Sequence, residues 1–363
     1  MHPFSPRGKL IHFGLPALDH SNHLVQMSSK NQPQCILRSQ LYRIALKSNS
    51  DVQLHHTANE YPNLAKWMTK EEIRAKFDIE SLGGLELGGG CKVIHVPTYL
   101  KGLFKECEMK ASALSSAIEW KLMLPIDDHH YQQQMNNIGN TSLNIMLNDI
   151  DSMNNHLDQF DAVILSAGAG IVSDVLVSGG ATLPVQLVRG QSIELILPSD
   201  DSGTPHEAFL CGKYVSPLPS NAEFGLSQRF VIGATHEFKD VALSAEEVMD
   251  ELRRQTYDIA RNLWDKGTSA RLTPISGVRL QSRRGTFGRM PIIGKYIGAD
   301  NDGIQHHNSW IFTGLSSRGL IYHGLFGRWL ANAVLHDDEE ELREKFEEFD
   351  WWKTTRNEVN PQK

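Results

Sequence analysis

The chain has 363 residues, of which 40% are hydrophobic and 22% charged, and its 36 basic against 43 acidic side chains leave a formal net charge of −7. At about one domain per 150 residues, that is enough for two domains with their own cores. The acidic balance excludes the electrostatic footprint of a general nucleic-acid binder.

The most apolar stretch, Val163 to Val188, is broken by Gly168, Gly170, Asp174, Gly179, Gly180 and Pro184. Such a stretch suits strands and turns, so no membrane span is expected. Cys35, Cys91, Cys107 and Cys211 form no C-x-x-C pair. They supply neither a disulfide scaffold nor a cysteine metal site, so a reducing, cytoplasmic setting without a bound metal is expected. The first residues, Met1-His-Pro-Phe-Ser-Pro-Arg-Gly8, carry no apolar or amphipathic leader, and no cleaved signal is expected.

In chain order, the first clear element is a short helix opened by the capping box Thr69 and Glu72 and reaching Phe77. A strand is predicted over Lys92 to Val96. Between Asp127 and Gln159 the sequence turns Asn-, Gln- and His-rich, with too little apolar surface to offset ordering entropy, and reads as a flexible insertion. Short β-branched runs then predict strands over Ala162 to Leu165, Leu183 to Arg189, Ser192 to Leu197, Lys213 to Ser216 and Arg229 to Ala234. A second capping box, Ser244 with Glu247, opens a longer helix whose apolar stripe is Val248, Leu252, Ile259 and Leu263. Ser309 to Thr313 is the last predicted strand, followed by a helix with Ile321, Leu325 and Trp329 on one row and Phe326, Leu330 and Val334 on the next. The acidic end from Asp337 carries Leu342, Phe346 and Phe349 at helical spacing, the pattern of a short docked helix. Alternation of helices and strands predicts a mixed α/β architecture.

Three local patterns bear on chemistry. Asp161-Ala-Val-Ile-Leu-Ser-Ala-Gly-Ala-Gly170 is a buried strand ending in small residues, where a backbone can approach a cofactor closely; a plain strand-to-turn junction gives the same pattern. Trp310-Ile-Phe-Thr-Gly-Leu-Ser-Ser-Arg-Gly-Leu320 runs a strand through a small-residue loop into a helix, whose free N–H groups and macrodipole favour an anion. Gly324 and Gly327 inside that helix imply close packing of a neighbour. Third, Gly277-Val-Arg279 offers a guanidinium that either forks onto a substrate carboxylate or stands exposed in solvent. His95, His206, His236, His306, His307 and His323 have no ligand spacing with a carboxylate or cysteine and read as solvated or packed.

In this order, His2-Pro-Phe-Ser-Pro-Arg-Gly-Lys9, Val163-Ile-Leu-Ser-Ala-Gly168, Val188-Arg-Gly-Gln191, Tyr214-Val-Ser-Pro217, Val231-Ile-Gly-Ala-Thr235, Gly277-Val-Arg279, Pro291-Ile-Ile-Gly294 and Gly314-Leu-Ser-Ser-Arg-Gly-Leu320 resemble the FAD-dependent oxidoreductases of the D-amino-acid oxidase and glycine oxidase family. They are most similar to the oxidase half of the bacterial bifunctional enzymes that modify the wobble uridine of tRNA. The resemblance spans nearly all of the chain except the insertion and the acidic end.

It implies FAD as cofactor and a small amine or amino acid as substrate, oxidised at its C–N bond by hydride transfer to the flavin. tRNA enters as a further partner by likeness alone, and the charge of −7 weighs against its unaided binding. The implied fold is a discontinuous FAD-binding domain of the glutathione-reductase-like type over 1–36, 91–126, 160–182 and 268–336. An antiparallel-sheet substrate domain covers 37–90 and 183–267, with the insertion at 127–159 and an acidic tail at 337–363. By matching position, Arg279 and Tyr214 are the implied catalytic residues at the substrate. Ala167 and Gly168 are implied at the adenosine side of FAD, and Ser316, Ser317, Arg318, Gly319 and Leu320 at the flavin's pyrimidine edge.

One departure stands against these matches. The family's first βαβ unit, with G-x-G-x-x-G for the pyrophosphate and an acidic residue for the ribose, has no counterpart here. Gly83-Gly-Leu-Glu-Leu-Gly-Gly-Gly90 precedes a strand instead of joining a strand to a helix, and Gly168-Ala-Gly170 lacks the third glycine. The sequence therefore reads as starting just after that unit, which leaves two expectations: an FAD enzyme whose N-terminal unit is missing from this sequence, or a non-catalytic remnant with impaired FAD binding.

Overall fold

The computed structural model describes residues 1–116, 118, 157–172, 183–197, 207–219, 227–238, 241–269, 273–296 and 307–354. The predicted insertion and the Gly179, Gly180 and Pro184 turn region therefore lie largely outside the described residues. The strands, in chain order, are Ile36–Arg38 (β1), Leu41–Ile44 (β2), Ala65–Met68 (β3), Gly84–Leu87 (β4), Val93–Ile94 (β5), Val163–Leu165 (β6), Val185–Leu197 (β7), Phe209–Leu210 (β8), Tyr214–Pro217 (β9), Gln228–Gly233 (β10), Thr268–Ser269 (β11), Ile275–Ser282 (β12), Arg284–Gly285 (β13), Gly288–Arg289 (β14), Ile292–Lys295 (β15) and Ser309–Thr313 (β16). With the helices between them they make the mixed α/β fold that the sequence predicts.

The chain divides into two compact units. The first, Met1–Glu106, Gln186–Met290 and Leu315–Phe326, holds a nine-stranded sheet in the order β11-β7-β10-β9-β8-β2-β4-β3, with β12 also paired to β7. Most of its pairs are antiparallel, and β2 with β8 is parallel. Register sets its two faces. Ile193 pairs with Ile232 and Ile232 with Val215, so these residues share a face with Leu195, Leu197, Phe230 and Phe209. That face is closed by Ile73 and Phe77 of the helix Lys70–Phe77, and by Val248, Leu252, Leu263 and Trp264. Both predicted capping boxes are present: Thr69 Oγ1 accepts from Glu72 N and Ser244 Oγ from Glu247 N, and each glutamate returns the bond.

Some elements differ from the prediction. Leu183–Arg189 and Ser192–Leu197 are one strand, β7, because Gly190 does not interrupt the ladder. The helix opened by Ser244 is Ala245–Thr256. It ends in a 3-10 turn, Tyr257–Ile259, and a new helix, Arg261–Lys266, brings Leu263 and Trp264 onto the same core. Trp264 Nε1 donates to Thr256 Oγ1 at 3.0 Å and Thr256 Oγ1 to Leu252 O at 2.7 Å, so a buried threonine closes the first helix and ties the second to it. The glycine-rich run 83–90 precedes a strand, β5, as the sequence predicts, and itself contains β4, an inner strand of the large sheet.

The second unit, Cys107–Val185, Pro291–Gly314 and Gly327–Lys363, is built on the sheet β15-β16-β6, in which β16 runs antiparallel to β15 and parallel to β6. Among the described residues its acidic end is helical over Glu340–Arg343 and Trp351–Thr354, shorter than the spacing predicts. Leu342, Phe346 and Phe349 are nonetheless buried, and Trp352 Nε1 donates to Ile293 O at 2.9 Å, so this segment packs along β15. No helix among the described residues is long and apolar enough to cross a membrane.

Candidate functional site

The opposite face of the large sheet is polar where β7, β10 and β9 lie side by side. Ser192 pairs with Gly233 and Gly233 with Tyr214, which puts the three in one cross-strand row. Tyr214 Oη and Ser192 Oγ are 2.9 Å apart across that row. A Cβ on Gly233 would meet Ser192 Oγ at 2.2 Å and Tyr214 Oη at 2.6 Å, so only glycine lets the phenol lie there. In the next row along the strands Glu194 accepts from Arg229 Nη2 at 2.8 Å, both side chains being almost fully buried.

Arg279, on β12, reaches the same neighbourhood. Its Nη2 is 2.7 Å from His236 Nδ1, and because a guanidinium only donates, His236 accepts there and carries its proton on Nε2. Burial holds the pKa of Arg279 below the usual guanidinium value, and the nearby Tyr214 phenol opposes that shift. Burial likewise lowers the pKa of His236, with the charges of Arg279, Lys213 and Arg289 adding to it. Arg279 and Tyr214, 65 positions apart in the sequence, thus lie close enough for their charges to interact.

His236 is held by a buried network that accounts for two of the quoted motifs. Gln191 of Val188-Arg-Gly-Gln191 takes Thr235 Oγ1 as acceptor for its backbone N–H at 2.8 Å, and its side-chain amide donates to Glu237 Oε1 at 3.2 Å and to Leu243 O at 3.1 Å. Thr235, the last residue of Val231-Ile-Gly-Ala-Thr235, also donates to the Glu237 carboxylate. The residues on either side of His236 are therefore pinned while its ring stands at the surface.

The loop from β16 into the helix Gly319–His336 also takes the predicted form: a 3-10 turn over Ser316–Arg318, then helix. Arg318 Nη1 donates to Arg289 O at 3.0 Å and to Tyr322 Oη at 3.1 Å, and Tyr322 Oη donates in turn to His12 O at 2.9 Å. His323 closes the first turn. Its Nδ1 donates to Gly319 O at 3.0 Å and its Nε2 accepts from Tyr99 Oη at 2.6 Å. Burial lowers the His323 pKa and raises that of Tyr99. Gly319 has nothing within 4 Å of where a Cβ would lie, whereas at Gly324 the helix Gly14–Asn31 approaches to 3.2 Å, so the close packing implied by the helix glycines holds at Gly324.

Ala167 and Gly168 belong to the second unit, at the end of β6. Gly168 has φ +56 and open space at its Cβ position. Among the described residues no group of three or more His, Cys, Asp or Glu side chains is placed to hold a metal ion. His206 and His306 lie outside the described residues. His95 is not simply solvated, since its Nδ1 lies 2.6 Å from Thr98 Oγ1. Sequence reasoning passed over Ser192, Gln281 and Arg289 and read His236 only as solvated or packed, whereas it accepts from Arg279; each directly adjoins or lies two residues from a quoted motif, and only the fold shows which way its side chain turns.

Residues 13–333 match the FAD dependent oxidoreductase family, DAO, and the chain belongs to it. Among solved structures it is similar to iminodiacetate oxidase from a Chelativorans species (TM-score 0.58, 17% identity, 92% of this chain and 84% of that one). It is also similar to L-proline dehydrogenase from P. horikoshii (TM-score 0.54, 12% identity, 90% and 79%). A third is fructosamine oxidase from Aspergillus fumigatus (TM-score 0.53, 12% identity, 89% and 73%). A tRNA 5-methylaminomethyl-2-thiouridine biosynthesis bifunctional protein from Marinobacter nauticus is 26% identical over 180 residues, 47% of this chain and 25% of that protein, so the match spans a quarter of that relative's length. FAD is the cofactor of the family. The residues at the 316–320 loop suit it: an open backbone at Gly319 beside an Arg318 held by neutral acceptors can face a group that gains negative charge.

Proposed function

We propose that the chain oxidises the C–N bond of a carboxylate-bearing amine or amino acid, with Arg279 binding the carboxylate and Tyr214 orienting the substrate from the sheet. The observation that carries this reading is the convergence of Arg279, Tyr214, Ser192 and His236 on the polar side of an otherwise apolar-cored sheet. Bound flavin supplies the hydride acceptor for the carbon's C–H; the nitrogen loses a proton, and water hydrolyses the imine.

The chain's own part is position and charge. Arg279, partly desolvated and held straight by His236, presents a fork to a carboxylate. The Tyr214–Ser192 pair fixes a hydroxyl beside it. Ser316, Ser317, Arg318, Gly319 and Leu320 would hold the flavin edge, where the helix start and Arg318 favour the charge that reduction builds. Ala167 and Gly168 would serve the adenosine side. The names of the three structural neighbours, enzymes of iminodiacetate, proline and fructosamines, support amines as the substrate class.

Gly319→Val tests the cofactor half of this reading, because the chain itself leaves room for the new side chain. The expected outcome is an unchanged melting temperature with lower flavin content, read from the visible spectrum after reconstitution with FAD. Equal flavin content and an equal reduction potential in the folded variant would remove this loop from the cofactor site. The Marinobacter relative favours a second reading, an aminomethyl group carried on tRNA. In that case anaerobic flavin reduction is faster with tRNA bearing the amine than with any free amino acid.

A further inference from the structure

Arg279 lies near a group of further guanidinium side chains in the first unit, Arg284, Arg289 and Arg318 among them. Arg279 and Gln281 alternate with the buried Leu280 on β12, so their side chains share a face about 7 Å apart. Gln281 is 8% exposed, and because the guanidinium opposite only donates, its amide is assigned with the oxygen towards Arg289, accepting from Nε at 2.6 Å and Nη2 at 3.0 Å. Arg289 donates further to Ser282 O, and Arg318 donates to the carbonyl of Arg289. Across the β13–β14 hairpin Arg284 pairs directly with Arg289. Like charges so opposed, with Cβ atoms about 5 Å apart, destabilise a hairpin.

Several other cations of the unit have a carboxylate partner, while Arg43 and Lys92 are held singly by neutral oxygens and a histidine and not in a row. Lys213 has Glu251 at 2.7 Å, Arg229 has Glu194 at 2.8 Å and Arg253 has Asp265 at 3.5 Å. Among the described residues no carboxylate pairs with Arg279, Arg284, Arg289 or Arg318; the partners of Arg279, Arg289 and Arg318 are carbonyl oxygens, an amide oxygen, a phenol and an imidazole. A chain of net charge −7 does not gather unneutralised arginines by composition alone. Such a row gains stability from an anion that bridges it.

We propose that Arg284 and Arg289 bind a second anionic group of the substrate, which is then an amine carrying two anions, one at Arg279 and a further carboxylate or phosphonate-like group one strand pleat away. This rests on the reading in which Arg279 grips the first carboxylate. The second subsite is built before any ligand arrives, because Gln281 and Ser282 O fix the Arg289 plane.

The test is calorimetric titration of the full chain, saturated with FAD, using sarcosine, iminodiacetate and N-(phosphonomethyl)glycine. These share one carboxylate and differ in the second group. At least one of the dianions is expected to bind about tenfold more tightly than sarcosine, and the tighter of the two identifies the second anion. Arg289→Gln should bring that ratio towards one. Arg284→Gln, at an exposed position without hydrogen bonds that hold the fold, should reduce it too, and circular dichroism of both variants reports folding. A ratio of one in the unsubstituted chain, with Arg279→Gln weakening every ligand, overturns this inference and leaves the proposed reaction standing. An Arg284→Gln protein that loses flavin absorbance with the ratio intact assigns the row to the cofactor and also overturns it. If no ligand binds and Arg279→Gln changes nothing, both readings fall.

Discussion

The two faces of the nine-stranded sheet share one backbone and one register and yet are specified differently. On one face Phe230, Ile232, Ile193, Leu195 and Val215 meet capped amphipathic helices, and each side chain is replaceable only by another of its shape. On the other, the same strands present Ser192, Glu194, Tyr214 and a glycine that exists for its lack of a side chain, with Arg279 and His236 beside them. Burial energy fixes the first face. The second carries hydroxyl, carboxylate and guanidinium groups held by hydrogen bonds and one buried ion pair. Under the proposed function the groups around Arg279 contribute more to activity than to stability, and the two should separate between the faces.

The sharpest break is expected on the apolar face. Phe230 is 1% exposed, and Phe230→Ala should cost about 3–5 kcal/mol through lost burial and the cavity left behind, read as a lower denaturation midpoint. On the polar side, Arg279→Ala should leave the midpoint nearly unchanged. It should lower kcat/KM for a carboxylate-bearing amine by roughly 30- to 1000-fold, about 2–4 kcal/mol of binding to a desolvated carboxylate; unchanged turnover would take Arg279 out of the site.

Gly233→Ala joins the two effects. Its methyl group would strike Ser192 Oγ and the Tyr214 ring, so a loss of about 1–3 kcal/mol should accompany a displaced Tyr214, visible as a change in tyrosine absorbance. A Gly233→Ala protein of full stability would show that the phenol is not held over the glycine.

The smallest expected effect is a pH dependence at His323. Burial lowers its pKa from the ordinary 6.5, so in the window just below 6.5 the unfolded chain binds a proton that the folded chain resists. The stability due to the neutral ring is therefore present above 6.5 and is lost as pH falls through the folded pKa. His323→Gln should flatten that part of the stability profile in the window below about pH 6.5; an unaltered profile would assign the acid loss to other groups.

Much of the scaffold was legible because its causes are local. Thr69 with Glu72 and Ser244 with Glu247 marked helix starts through contacts only three residues apart, and β-branched runs located β6, β9, β10 and β16. The strands β2, β3 and β4 escaped notice: Leu41–Ile44 is buried on both faces and shows no alternation, and Gly84–Leu87 is a four-residue strand set among glycines. The split after Thr256 escaped as well, since an unbroken apolar stripe fits one helix or two.

By itself, the order of motifs determined the family, the mixed α/β class and FAD, because those motifs record backbone geometry that recurs at fixed places along a chain. Sequence also singled out Arg279 and Tyr214 one at a time. Only tertiary structure decided that they lie close to each other, that His236 accepts from the guanidinium, and that Arg289 stands on Gln281 opposite Arg284. Such contacts depend on strand register and on the face to which each pleat turns, and a one-residue slip in either strand would send the same side chains to opposite sides of the sheet.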